Sequence, residues 1–164
     1  MTMMLTSAAF TDGGPIPAVH TCQGIDTSPP LSWEGLPAGT KSLALIVDDP
    51  DAPDPARPRT VWVHWVLWDI PPDATGLPPA VREGKLPVGT RVGQNDSHQM
   101  GYGGPCPPIG RHRYFHTIYA LDAVLGPLST PTKQGLLQVM YGHVIEKAVL
   151  IGTYEMAKQP GRSG

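Results

Sequence analysis

The sequence carries little charge and no marked excess of either sign. Among its 164 residues, 12 are lysine or arginine and 14 are aspartate or glutamate, which gives a formal net charge of −2. Proteins that bind nucleic acids usually concentrate basic side chains on one face or in one run, and no such run occurs here. The composition therefore argues against a nucleic-acid partner.

Long apolar runs are also absent. The most apolar stretch, residues 61–68, has eight residues and is interrupted by His64, whereas a membrane-spanning helix needs about 20. The first ten residues contain no lysine or arginine and no full apolar segment, so they do not resemble a secretory signal. We expect no transmembrane segment and a cytoplasmic location.

Cysteine is scarce. Cys22 and Cys106 lie 84 positions apart and form no CxxC motif, so the sequence predicts no zinc site and no other cofactor. Because the cytoplasm keeps thiols reduced, we predict two free thiols, and a disulfide between them stays open as the alternative.

Uninterrupted stretches that would suit helices are few, because 20 prolines are spread along the chain. Proline in a helix interior costs about 3 kcal/mol, and the longest proline-free stretch is residues 132–159. This excludes a helical bundle and predicts a mainly β protein, with residues 1–164 forming a single domain. The predicted strands are 43–47, 60–70, 113–121 and 148–154, with weaker candidates at 3–5 and 31–33.

One helix is predicted near the C-terminus. Thr130 would cap it, and Pro131 would take the first helical position. Apolar side chains then recur at helical spacing and would pack against a sheet: Leu136, Leu137, Met140, Tyr141 and Val144. Gly142 is a candidate kink.

Reactive side chains follow or interrupt two of the predicted strands. Asp48, Asp49 and Asp51 come after the 43–47 strand in a proline-rich segment. Because neighbouring carboxylates repel one another, they predict a stiff loop with a preformed site, or alternatively a solvated loop whose aspartates cap turns. In the 60–70 strand, alternation puts Trp62, His64 and Val66 on one face and Val63, Trp65 and Leu67 on the other. His64 is then either a hydrogen-bonded core residue or a donor to one of these carboxylates.

Two further segments suggest ligand binding. The glycine–proline loop, residues 101–110, is rich in residues that allow close backbone approach and rigidity, so its amides could face an anion. On the next strand His112, Tyr114 and His116 share a face. At strand spacing His112 and Tyr114 are about 7 Å apart and can share one small ligand, whereas His112 and His116 are about 13 Å apart, too far for one metal.

Hydrolase motifs are missing. There is no G-x-S-x-G and no metal-ligand spacing, and the candidate nucleophiles near the glycine–proline loop, Ser97 beside His98 and Cys106, have no recognisable base at suitable spacing. We expect a protein that is not an enzyme, with a weak hydrolase left open.

Four ordered motifs together resemble one family. They are DPDAP at 49–53, W-x-H at 62–64, GPxPPxG at 104–110 and HRY at 112–114, and in this order they resemble the phosphatidylethanolamine-binding protein family, also called the Raf kinase inhibitor protein family. The N-terminal third and the GHV at 142–144 resemble its short bacterial and archaeal branch. The resemblance implies an antiparallel β-sandwich with one or two short peripheral helices near the C-terminus. It also implies a cis peptide bond in the segment before the W-x-H strand, where Ala52–Pro53 is one candidate and Thr60–Val61, at a cost of about 3 kcal/mol, is the other.

The resemblance also implies a function. It suggests a non-enzymatic, regulatory binding protein with a small preformed pocket for phosphate-type or phosphoethanolamine-like head groups, or alternatively a protease or kinase inhibitor that acts through its surface. The implied pocket residues are Asp49, Asp51, Trp62, His64, His112 and Tyr114, with Gly104 and Pro105 at the rim. The expected partners are a small anionic or phosphorylated ligand, a protein kinase or protease, and a second copy in a homodimer. Anion binding should weaken as His64 and His112 lose protons.

Overall fold

Strands make up most of the regular structure. The computed structural model describes residues 2–157, and within this range the chain forms eight β-strands, one α-helix and two 3₁₀ turns at Ala18–His20 and Glu83–Lys85. The strands are β1 (Met4–Thr6), β2 (Leu31–Glu34), β3 (Ser42–Ala52), β4 (Thr60–Ile70), β5 (Gly76–Leu77), β6 (Arg91–Val92), β7 (Arg111–Leu121) and β8 (Val144–Glu155), and helix α1 spans Lys133–Met140.

The strands form two antiparallel sheets that pack face to face. One sheet has the order β1-β2-β5, and the other has the order β6-β4-β3-β7-β8. Apolar side chains from both inner faces build the main core, among them Trp33 of β2, Leu45 of β3, Trp65 of β4 and Ile118 of β7. This arrangement confirms the predicted mainly β sandwich of antiparallel sheets.

A second, smaller core lies on the outer face of the five-stranded sheet. There α1 places Leu136 and Met140, both almost fully buried, against Ala44 and Trp68. The helix has eight residues, and no helix within residues 2–157 has the length and apolar character needed to cross a bilayer. The helix therefore acts as a cover for β3 and β4.

The helix begins later than the sequence predicted. The N-cap is Thr132 rather than Thr130, and its hydroxyl accepts a hydrogen bond from the Gly135 amide at 3.2 Å. Pro131 accordingly precedes the cap instead of opening the helix. Two threonines flank this proline, and only the tertiary position of the turn decides which of them caps.

The helix also ends earlier than predicted. It stops at Met140, the chain turns at Gly142 with a φ of 85°, and Val144 begins β8. Tyr141 is 89% exposed and Leu137 is 38% exposed, so neither belongs to a buried stripe. Gly142 ends the helical segment here because glycine adopts positive φ without a Cβ clash.

A bulge in β4 breaks the alternation that the sequence suggested. Val47 of β3 pairs with Trp65, but the next residue of β3, Asp48, pairs with Val63, so His64 is the extra residue. As a result Trp65 joins the inner core, and Val63 lies in the outer cluster.

The predicted faces of this strand were therefore wrong across the bulge, although Trp65 and Leu67 share the inner face as predicted. Val66 lies in the outer cluster with Val63 instead of sharing a face with His64, and Leu67 lies in the inner core. Periodicity assumes a regular strand, and an inserted residue shifts every later side chain to the opposite face.

The acidic segment is the irregular end of a strand rather than a loop. β3 continues through Asp48 and Asp49 to Ala52, with a further register shift against β4 between Asp49 and Ala52. The Ala52–Pro53 peptide bond is cis, which decides between the two candidates that the sequence left open.

Candidate functional site

A cavity of about 500 Å³ opens at one end of the sandwich, where β3, β4 and β7 meet the glycine–proline loop. Its wall contains six of the eight predicted site residues: Asp49, Trp62, His64, Gly104, His112 and Tyr114. The antiparallel pairing of β3 with both β4 and β7 brings these sequence-distant positions to one end of the sheet.

The other two predicted residues lie outside the cavity wall. Asp51 faces Arg113 and accepts hydrogen bonds from its backbone amide at 2.9 Å, its Nε at 3.0 Å and its Nη2 at 2.9 Å. These bonds hold the pKa of Asp51 below its usual range. Pro105 is buried, and its carbonyl oxygen accepts a hydrogen bond from the Cys22 amide at 3.1 Å. Asp51 is therefore a supporting residue rather than the lining residue that the resemblance implied, whereas Pro105 belongs to a rim loop, the place the resemblance gave it.

The three carboxylates at the end of β3 are each compensated by a different partner. Lys133 of α1 lies 2.6 Å from Asp48, and His112 of β7 lies 2.5 Å from Asp49, while Asp51 pairs with Arg113. Because each carboxylate has its own partner, one from α1 and two from β7, the carboxylates need not share one solvated loop.

His112 is a fixed part of the wall. It is fully buried, and its Nδ1 faces Asp49 while its Nε2 lies 3.1 Å from the Pro53 carbonyl and 2.9 Å from the Ile109 carbonyl. Carbonyl oxygens only accept hydrogen bonds, so Nε2 carries a proton. The hydrogen bond between Nδ1 and the Asp49 carboxylate contains a second proton. Both ring nitrogens are therefore engaged by the protein, and His112 has none left for a ligand.

His64 is arranged differently. Its Nδ1 donates to the Gly103 carbonyl at 2.7 Å, and its Nε2 makes no hydrogen bond within the described part of the chain. The suggested bond to a carboxylate of the acidic segment is therefore wrong, since the bulge in β4 directs the ring toward the glycine–proline loop. Burial lowers the pKa of His64 below its usual range.

Tyr114 lies between the two histidines. Its ring centroid is 5.2 Å from that of His64 and 6.3 Å from that of His112. The residue is 1% exposed, and its hydroxyl finds no hydrogen-bond partner among residues 2–157. Burial raises the pKa of Tyr114, so the hydroxyl keeps its proton. A buried donor without a partner costs about 1–3 kcal/mol, which marks this wall as the place where a ligand or water belongs.

Two glycine amides in the middle of the glycine–proline loop are occupied by the protein. Gly103 donates to the His64 carbonyl at 2.9 Å, and Gly104 donates to Oδ1 of Asp26 at 2.8 Å. The expectation that these amides face an anion is wrong for both. A side chain at residue 104 would collide with Asp26 and with the His20 backbone, so glycine is required for the close approach.

The two cysteines form a disulfide bond. Cys22 and Cys106 have Cα atoms 5.4 Å apart, and both line the cavity. The prediction of free thiols is therefore wrong; the separation of 84 residues hides that their loops meet at the rim. With Cys106 bonded, Ser97 is the remaining predicted nucleophile in the wall, and its amide is bound to Oδ1 of Asn95 at 2.9 Å.

Sequence reasoning missed several wall residues. Asp26, Gln99 and Tyr102 also line the cavity, and the Tyr102 hydroxyl donates to the His20 carbonyl at 2.6 Å. The glycines on either side of Tyr102 could have marked it, whereas a lone aspartate in a loop carries no pattern.

His116 does not reach the cavity. It is 1% exposed and packs against Phe10, with ring centroids 5.3 Å apart. Its Nδ1 faces the carbonyls of Tyr114 and Leu150, and burial lowers its pKa to about 4. Residues 2–157 contain no group of three or more side chains placed to hold a metal ion.

Comparisons with known proteins identify the family and the fold. The family model described as phosphatidylethanolamine-binding protein matches residues 6–155. A UPF0098 protein of Methanothermobacter thermautotrophicus is 53% identical over 153 residues, which cover 93% of this chain and 98% of the relative.

Two solved structures show the same fold. One, from Chlamydia trachomatis, is described as a homologue of phosphatidylethanolamine-binding protein; it has a TM-score of 0.86 and 42% identity, over 95% of this chain and 99% of that one. Escherichia coli YbcL, described as a new member of the mammalian family, has a TM-score of 0.86 and 33% identity, over 96% of this chain and 100% of its own. Because the family model matches residues 6–155 and a relative over nearly the same length is 53% identical, the chain belongs to the phosphatidylethanolamine-binding protein family.

Proposed function

We propose that this chain is a non-enzymatic binding protein whose cavity takes the phosphate-type group of a small ligand or lipid head group, such as phosphoethanolamine, and that occupancy regulates a partner. The observation that carries the proposal is the Tyr114 hydroxyl in the cavity wall, a buried donor without a partner among residues 2–157. A tetrahedral oxyanion supplies the acceptor that this donor lacks.

His64 would complement Tyr114. Its free Nε2 becomes a second donor once the ring takes up a proton, and the T-shaped contact of the two rings keeps both groups on the same wall. Two donors that converge on one point can hold two oxygens of the same anion.

The charge of Asp49 opposes this ligand less than that of a free carboxylate would. Its Oδ2 faces His112 and its Oδ1 accepts a hydrogen bond from the Asp51 amide at 2.7 Å. Because both oxygens are engaged and the carboxylate has a partner that can carry positive charge, repulsion of an incoming anion is reduced. The cavity volume of about 500 Å³ also suits a small molecule or head group.

Tyr114→Phe tests the proposal because it removes the hydroxyl and keeps the ring. Calorimetric titration with inorganic phosphate, O-phosphoethanolamine and acetate should show saturable binding of the two phosphorylated compounds by the wild type. Loss of a hydrogen bond to a charged group should weaken that binding by about 10- to 100-fold in Tyr114→Phe. Tyr119→Phe is the matched control, since Tyr119 lies on the same strand and packs against the outer cluster instead.

Unchanged binding in Tyr114→Phe, or no binding by the wild type, would overturn the pocket proposal and make surface-mediated inhibition of a protease or kinase the next hypothesis to test. Release of phosphate from O-phosphoethanolamine that disappears in Ser97→Ala would contradict the non-enzymatic part. The kinase or protease partner, the homodimer and the cytoplasmic location stay predictions.

A further inference from the structure

The disulfide lies at the mouth of the cavity and outside both hydrophobic clusters. Cys22 and Cys106 line the cavity, and both are exposed residues. Thiol–disulfide exchange requires a thiolate to reach one of the two sulfurs. Exposure of both half-cystines leaves this bond open to attack in the folded protein, in contrast to a disulfide enclosed in a core.

The bond joins two loops that together form the rim. One is the glycine–proline loop, and the other is the cysteine loop, defined here as residues 18–27. Three hydrogen bonds within the described range also join them: Cys22 N to Pro105 O at 3.1 Å, Gly104 N to Asp26 Oδ1 at 2.8 Å, and Tyr102 Oη to His20 O at 2.6 Å. Each such bond contributes only modestly, so the disulfide is the strongest connection between the loops.

The glycine–proline loop in turn orients both cavity histidines. The Gly103 carbonyl accepts from Nδ1 of His64 at 2.7 Å, and the Ile109 carbonyl accepts from Nε2 of His112 at 2.9 Å. The loop therefore decides which nitrogen of His64 faces the cavity. A shift of the loop would remove that constraint and loosen the wall around Tyr114.

The sandwich itself does not depend on this connection. Its cores are built mainly from side chains of the strands and of α1, and the long strands β3, β4 and β7 pair over most of their lengths. The glycine–proline loop touches the main core through Tyr102, whose ring centroid lies 5.3 Å from that of Trp65. Opening the disulfide therefore disturbs the rim and leaves the strand pairing of the sandwich in place.

We infer that the Cys22–Cys106 disulfide is a redox latch on the ligand cavity, opened by small dithiol or monothiol reductants, and that its opening frees the glycine–proline loop and weakens ligand binding. A thiolate of the reductant attacks one sulfur, forms a mixed disulfide and releases the other cysteine as a thiolate. A second reductant thiol then resolves the mixed disulfide, so that the protein gains two thiols and the reductant is oxidised to its disulfide. The effect on binding rests on the proposed function; the effect on the loop does not.

The test compares the oxidised protein, the protein reduced with dithiothreitol under native conditions, and the double variant Cys22→Ser/Cys106→Ser. Alkylation and mass spectrometry measure the fraction reduced, and hydrogen exchange follows the two loops and the core strands. Calorimetry with inorganic phosphate measures affinity. The double variant with and without dithiothreitol is the control for effects of the reductant itself.

We expect reduction without denaturant, at least about tenfold faster amide exchange in residues 101–110 with unchanged exchange in the centres of β3, β4 and β7, and about tenfold weaker phosphate binding. A disulfide that opens only in denaturant, unchanged loop exchange after full reduction, or accelerated exchange throughout the core strands would each overturn the latch.

The outcome for the latch can be separated from that for the proposed function. Absence of phosphate binding by the oxidised protein would refute the proposed function. Hydrogen exchange in residues 101–110 would still test whether reduction of the disulfide frees the loop. Binding that is equally tight in the oxidised and reduced protein, with a loosened loop, would overturn the coupling between latch and ligand.

Discussion

At the scale of single residues, the two cavity histidines differ because of their neighbours. His112 has acceptors against both ring nitrogens, whereas His64 keeps its Nε2 free and has its pKa lowered by burial. Both rings were expected to donate hydrogen bonds to a bound anion, and only His64 has a ring nitrogen left for this. At neutral pH the Tyr114 hydroxyl keeps its proton, because burial raises its pKa, and it is the other donor in the proposed function.

The pH dependence of anion binding follows from His64. We expect the affinity for sulfate to rise as the pH falls below about 6.5, because protonation gives Nε2 a hydrogen to donate. Since burial lowers the pKa of His64, the rise should begin below the usual range for histidine. Sulfate is a suitable probe because it does not titrate in this range, and calorimetry between about pH 8 and pH 5 gives the profile.

His64→Gln provides the control, since glutamine does not titrate and should flatten the profile. A wild-type affinity for sulfate that stays constant over this range would contradict the role given to His64.

At the scale of elements, local irregularities position the site. The bulge at His64 turns this residue to the cavity while Trp65 continues into the inner core. The extension of β3 past Val47 carries Asp49 to the same end of the sheet. Regular strands of the same composition would not place these two side chains beside Tyr114.

The helix cap is an element whose contribution can be measured. Thr132→Ala removes the side-chain acceptor for the Gly135 amide and should lower the free energy of unfolding by about 1 kcal/mol. Chemical denaturation followed by circular dichroism measures the change. Thr130→Ala is the matched control, because Thr130 is exposed and its side chain caps no amide in residues 2–157; equal losses in the two variants would show that the cap is misassigned.

At the scale of the whole molecule, one core serves both stability and the site. The inner face of β7 contributes Ile118 to the core, His116 next to Phe10, and Tyr114 and His112 to the cavity. The cavity is thus the polar end of the core, and a buried titratable group lies deeper along the same strand.

That group couples global stability to pH. His116 binds a proton near pH 6.5 when unfolded but only near pH 4 when folded, because burial lowers its pKa to about 4. The contribution of neutral His116 to the free energy of unfolding is fully present above about pH 6.5. It is lost as the pH falls toward 4, by an amount on the order of 3 kcal/mol. Urea unfolding at a series of pH values measures the slope of the free energy of unfolding against pH. His64 adds to this slope in the same direction, because its pKa is also lowered.

His116→Gln should reduce the slope in this window while keeping a donor toward the neighbouring carbonyls. A slope equal to that of the wild type would mean that the acid sensitivity comes from other groups.

The sequence alone was sufficient where local signals agreed. The strand at Thr60–Ile70 was predicted with its observed bounds, because a run of β-branched and aromatic residues ends at two prolines. The mainly β class was likewise predictable, and six of the eight site residues predicted through ordered motifs lie in the cavity wall. These features depend on neighbours in the chain or on recognisable spacing.

Only the tertiary structure decided the rest. The disulfide, the place of Asp26 at the rim and the pairing of Asp49 with His112 rather than His64 all depend on how distant segments meet. The bulge at His64 depends on the register with β3. Pairing across long separations is set by packing of the whole sandwich, and no local pattern of residues encodes it.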